Sequence, residues 1–171
     1  PGVQPGFFIT DHIQKKYPLG ENESYTYIAS TTFCKDDSMT YLLGISPGMG
    51  TFLVKKLPNN ETVSEYIAGG TYQGVLVVWD NNLKVGKVSI LSFKWGDIDT
   101  SMYSTSEAKR AAQIEAYIDL YNGVNNPNIK SRPIVSTDCE KWINEEQFNK
   151  LKQGADDSVI RYVKGLNNVA D

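Results

Sequence analysis

Tyr72-Gln73-Gly74-Val75-Leu76-Val77-Val78-Trp79-Asp80-Asn81-Asn82, followed by Leu83 and Lys84–Trp95, is the stretch that decides the fold. Val75 to Trp79 is an unbroken apolar run, rich in β-branched residues and too short for a buried helix. It reads as a strand that is apolar on both faces, central in its sheet and covered on both sides. Asp80-Asn81-Asn82 reverses the chain, because Asp and Asn tolerate left-handed φ and bond to their own backbone. Lys84–Trp95 then returns as a second strand. Val88, Ile90, Ser92 and Lys94 alternate with Ser89, Leu91, Phe93 and Trp95, and the second set carries the larger side chains.

Toward the N-terminus the same β character continues. Ser24–Cys34 is rich in Tyr, Thr and Ile; Lys35-Asp36-Asp37-Ser38 reads as a turn; Thr40–Ser46 and Thr51–Leu57 read as further strands. Pro47-Gly48-Met49-Gly50 and Pro58-Asn59-Asn60 punctuate them. Val63–Ala68 fits either state. Strands about ten residues apart with short turns predict a mainly antiparallel meander of five to six strands over about residues 24–95. Before it, Ile9, Ile13 and Tyr17 recur at helical spacing, which predicts a short helix over 10–17 stopped by Pro18-Leu19-Gly20. Residues 1–6, with two prolines and two glycines, have the composition of a flexible extension outside the core.

The pattern changes at Gly96. Ser104-x-x-Glu107 is a capping-box pattern, and Ala111, Ile114, Tyr117, Ile118 and Tyr121 form a stripe ended by Asn122-Gly123. This predicts a helix over 105–122 with that stripe on the sheet. A polar loop follows over 124–133. Ser136-Thr137-Asp138 reads as the start of a helix over 138–152, with Trp142, Ile143, Phe148 and Leu151 on its apolar side. Asp156-Asp157 cap a last helix over 159–163, and residues 167–171 should fray. Strands segregated from helices give the α+β class, with the C-terminal helices packed on one sheet face. Residues 7–166 form a single domain on this reading.

With 171 residues, 40% of them hydrophobic, the chain can bury a sizeable core. The 17 basic and 20 acidic residues give a net charge of −3, which argues against a nucleic-acid partner held by a broad basic surface. No apolar run approaches the roughly 18 residues of a membrane span. His12, the only histidine, sits in the polar His12-Ile13-Gln14-Lys15-Lys16 and reads as a surface residue. Asp97-x-Asp99-x-Ser101 begins like a calcium loop, but Met102 and Ala108 stand where that loop needs Gly and Glu. The glycines at 44, 48 and 50 and at 69, 70 and 74 are flanked by strand-like sequence and open no helix, so they read as turns or bulges rather than a phosphate loop. No Gly-x-Ser-x-Gly nucleophile elbow occurs. No cofactor and no metal follow from these patterns.

Cys34 and Cys139 are the only cysteines and fit no zinc spacing. Two separate buried thiols and one disulfide both fit. On the layout above, a strand end and a helix start meet at one edge of the domain, which permits the bond. The disulfide, together with the missing initiator Met before Pro1, leans the expectation to an extracytoplasmic or secreted setting. Asn22-Glu23-Ser24 and Asn60-Glu61-Thr62 match glycosylation sequons at a frequency that chance supplies. The aromatic residues are the remaining feature. Tyr25 and Tyr27 share a strand face without large apolar neighbours, and with Tyr72 and Trp95 they are the candidate binding residues, on an exposed sheet surface. The function expected is a non-catalytic interaction protein of the inhibitor, immunity or host-recognition type, whose partner is another protein. The alternatives are an enzyme whose Ser, Asp, Glu and Lys groups converge in space, and a small-ligand carrier with an apolar pocket.

Overall fold

The computed structural model describes residues 2–30, 32–57, 70–153 and 158–167. At its centre β3 (Thr71–Asp80) and β4 (Val85–Lys94) form the expected antiparallel hairpin. Asp80 makes the turn: its Oδ1 accepts from the N–H groups of Asn82 and Leu83, each at 2.8 Å. β1 (Glu23–Ala29) pairs antiparallel with the other edge of β3, so β3 is the middle strand of the order β2-β1-β3-β4-β5. Leu76 and Val78 enter one core cluster, and Val75, Val77 and Trp79 enter the other. Burial on both sides is what the apolar run from Val75 to Trp79 required. The class is α+β, with a mostly antiparallel sheet and helices around it.

The sheet is not a simple meander. Residues read as a turn and a strand form the helix α2 (Cys34–Leu43) instead. It leads to β2 (Phe52–Val54), which runs parallel to β1 with Tyr27 opposite Phe52. Parallel neighbours need a crossover, and α2 supplies it. The helix is set by its ends: Asp36 and Asp37 lie in the first turn, Asp36 Oδ2 accepts from Phe33 N–H at 2.8 Å, and Gly44 closes the helix at φ 65°. Its buried residues are Lys35, Asp36, Ser38 and Met39, so it has no apolar stripe to read. Val63–Ala68, the Asn60 sequon and the Asp156-Asp157 cap lie outside the described residues, as does all of the 167–171 tail except Asn167.

The N-terminus also differs from expectation. α1 (Gln4–Lys16) begins well before residue 10, with Pro5 in its first turn, where a missing N–H costs nothing. Gln4, Pro5 and Gly6 are buried, so the second half of the segment read as a loose extension belongs to the core. Gly6 is where α1 crosses α2: a β-carbon there would overlap Ser38 Oγ and the Lys35 carbonyl. Ile9, Ile13 and Tyr17 face the sheet as their spacing implied, alongside Met39 of α2.

On the opposite face lie α4 (Glu145–Gln153) and α5 (Val159–Gly165). Phe148 stacks on Trp79 with ring centroids 4.3 Å apart. Ser158 caps α5 through the Arg161 N–H. The first half of the helix expected over 138–152 is a strand, β5 (Ile134–Asn144), paired antiparallel with β4 at the sheet edge. A bulge interrupts that pairing, and Cys139 beside it takes φ 53°. Finally, α3 (Ser106–Asn122) has the expected span, capped by Thr105 Oγ1 on Ala108 N–H at 3.2 Å. It does not lie on the sheet. Ala116, Tyr117 and Leu120 pack instead with Ile98 and Ile129 of the loops and Phe8 of α1. Ile118 and Tyr121, expected in the core, are 51% and 52% exposed.

Candidate functional site

Two clefts of about 320 Å³ each open on either side of the first turns of α1. The first is a groove between α1 and α3. Val3, Phe7 and Phe8 form one wall and Ile114, Ile118 and Tyr121 the other. Gln4 also borders it, 8% exposed: its Nε2 donates to the Ile114 carbonyl at 3.1 Å, while its Oε1 is buried with no donor among the described residues. The second cleft lies at the sheet end where β1 finishes and β3 begins. Phe33, Cys34 and Lys35 of the α2 start face Tyr72, Gln73, Phe93 and Trp95 across it.

A chain of six rings joins the two clefts. Phe93 meets Trp95 at 5.1 Å, Trp95 meets Tyr117 at 5.3 Å, and Tyr117 meets Phe8 at 6.0 Å. Phe8 then meets Tyr121 at 6.0 Å, and Tyr121 meets Phe7 at 5.6 Å. All five contacts are edge-on, the arrangement that ring quadrupoles favour. The Tyr117 hydroxyl donates to the Gly96 carbonyl at 3.0 Å, which fixes its ring between Trp95 and Phe8. Burial raises the Tyr117 phenol above its ordinary pKa, so it stays a neutral donor. Trp95 remains 49% exposed at the junction.

The floor of the second cleft is charged. Lys35 is 6% exposed, and its ammonium donates to Asp36 Oδ1 at 2.5 Å and to the Tyr27 hydroxyl and the Gln73 carbonyl at 3.4 Å each. The Tyr27 hydroxyl donates in turn to Gln73 O at 2.6 Å. Burial pulls the Lys35 amine below its ordinary range, and the bond to Asp36 opposes that only in part. Burial and the neighbouring Asp36 push the Tyr27 phenol well up.

Three of the four expected binding residues come together here, though not on an open sheet surface. Tyr27 is fully buried beneath the second cleft, Tyr72 is buried at its wall, and Trp95 stands at its mouth. Tyr25 is buried toward the other end of β1, where its hydroxyl donates to the Tyr17 carbonyl at 2.5 Å. Tyr25 and Tyr27 therefore form no exposed aromatic face: α1 and α2 cover it, with Ile9, Ile13 and Met39 supplying the apolar neighbours that their own strand lacks. Cys34 and Cys139 are free thiols. Cys34 opens α2 on one side of the sheet, while Cys139 packs with the cluster under α4 and α5 on the other. The sheet lies between them and they form no pair, so of the two readings the disulfide, with its argument for an oxidising compartment, is left without support.

Lys35 and Asp36 were missed because their stretch read as a turn, and Phe33 because it fell at the end of the β-like Ser24–Cys34. Asp36 and Asp37 followed by Gly44 were the available signal, as a helix start and stop. His12 is half-buried rather than exposed, against Phe8, Pro133 and Val135, and its Nε2 has no partner among the described residues. Near it Glu140 of β5 accepts from Lys16 and from the Tyr17 hydroxyl, tying the end of α1 to the edge strand. Among the described residues no group of three or more His, Cys, Asp or Glu side chains could hold a metal ion, and no helix is long and apolar enough to cross a membrane. No protein-family model matches the chain, and no curated protein matches it in sequence.

Proposed function

We propose that the protein is a non-catalytic binding module that takes a segment of another protein into the groove between α1 and α3. The observation that carries this reading is the outward face of α3. Ile118 and Tyr121 stand half-exposed on a helix whose opposite side is packed, and Tyr121 belongs to the ring chain that leads to Trp95. Clustered exposed apolar and aromatic groups of this kind mark interaction surfaces, and rigid rings supply contact area at little entropic cost. The occupant fitted by this lining presents two or three apolar side chains flanking a backbone N–H. The side chains would fill the space between Phe7, Ile114 and Ile118, and the N–H would meet the unused acceptor of Gln4. The half-open shape of the groove favours a chain segment over the enclosed small ligand of a carrier.

Peptide display on the immobilised protein, counter-selected against the Ile118→Asp/Tyr121→Asp double variant, tests this. Both replaced residues are half-exposed and Tyr121 also meets the Phe7 and Phe8 rings, so the variant serves as the counter-selection once its denaturant midpoint shows that it is folded. The expected result is enrichment of peptides with apolar anchors whose binding the double variant abolishes. No enrichment, or equal binding to both proteins, overturns the reading. A self-association of the wild type that the double variant loses would instead assign the groove to a second copy of the chain and also overturn it.

A further inference from the structure

We propose that Lys35 is a carbonyl-reactive amine, and that the cleft above it takes small aromatic aldehydes, which condense with its ε-nitrogen to an imine. The proposal does not depend on the α1–α3 groove. It stands on the placement of three groups. Lys35 lines an open cleft with its side chain 7% exposed, and the Asp36 carboxylate stands 2.5 Å from its nitrogen to receive its proton. Around it the rings of Phe33, Phe93 and Trp95 line the cleft and suit a flat apolar body. The Tyr27 hydroxyl and Gln73 carbonyl, each 3.4 Å from the nitrogen, fix where it sits. Burial lowers the affinity of this amine for its proton, in the direction that frees the lone pair.

The step balances without any oxidant or reductant. The ammonium passes one proton to Asp36, and the freed lone pair forms a C–N bond to the aldehyde carbon. The carbonyl electron pair moves to oxygen, which takes a second proton from nitrogen to give the carbinolamine. The proton held by Asp36 then goes to that hydroxyl, the C–O bond breaks, water leaves, and the nitrogen lone pair closes the C=N bond. The product is a protonated imine, paired with the Asp36 carboxylate that is again ionised.

The experiment uses the whole protein with benzaldehyde and cyanoborohydride, which reduces each imine to a stable benzylamine. Peptide mass spectrometry then gives the labelling rate of every lysine. Lys35 is expected to lead exposed lysines such as Lys84 and Lys109 severalfold, since burial favours its neutral amine. The lead should vanish in denaturant, and Trp95→Ala, which removes an exposed wall of the cleft, should reduce it while the fold is kept. A Lys35 rate at or below those of the exposed lysines overturns the proposal. So does a lead that survives unfolding, since that would come from local sequence rather than from the cleft.

Discussion

Gly74 leaves room where the Tyr27 ring crosses β3. A β-carbon at Gly74 would stand 2.5 Å from the Tyr27 ring and hydroxyl, and a ring that is fully buried has little room to move aside. Gly74→Ala should therefore cost about 1–3 kcal/mol, the usual penalty of overpacking a filled core. It should also disturb the Tyr27 hydroxyl beneath Lys35; a lowered urea midpoint is the readout. His12 gives a pH prediction. Burial, and then the nearby Lys16, lower its pKa from the ordinary 6.5, while Asp11 and Glu140 act the other way. Between the lowered folded value and 6.5 the unfolded chain binds more protons, so stability rises with pH there. The contribution is present in full above pH 6.5 and is lost as pH falls through the folded value. His12→Gln should flatten this part of the acid limb in denaturation curves recorded from pH 7 downward, and an unchanged slope would refute the assignment.

At the scale of elements, α3 shows how a helix can be read correctly in span and wrongly in facing. Its polar start and its Gly123 stop are local signals that placed its ends within a residue, although the capping side chain is Thr105 rather than the expected Ser104. Tyr117 belongs both to the expected stripe and to the buried set, but the stripe at 111, 114, 118 and 121 and the buried set at 112, 116, 117 and 120 point to nearly opposite sides, a rotation of roughly 160°. Apolar residues lie on both sides, so only the neighbours choose between them. Leu120→Ala should cost about 2–5 kcal/mol, as large-to-small changes at buried sites do. Ile118→Ala, on the exposed side, should stay within about 0.5 kcal/mol. Guanidinium unfolding of the two variants decides between the faces, and a reversed order would put the stripe back in the core.

At the scale of the molecule, the sheet separates two helical layers; Cys34 belongs to one, and Cys139 of β5 packs toward the other. Non-reducing mass spectrometry should find two free thiols, and Cys34, the exposed one, should react first with an aromatic disulfide reagent under native conditions. A mass two hydrogens lighter would contradict this arrangement. By itself the sequence determined the α+β class, the β3–β4 hairpin with its Asp80 turn, the two-sided burial of Val75–Trp79 and the extent of α3. Each rests on neighbours in the chain: an unbroken apolar run, a side chain bonding its own turn, a cap. Tertiary structure alone decided the parallel β1–β2 pair, the polar-faced α2, the edge strand β5 and the meeting of Phe33 and Lys35 with Tyr72 and Trp95. Those depend on partners tens of residues away. A buried Lys35 is tolerable only because Asp36, Tyr27 and Gln73 are brought around it, and an edge strand as polar as β5 is held by its ladder to β4 rather than by an apolar pattern of its own.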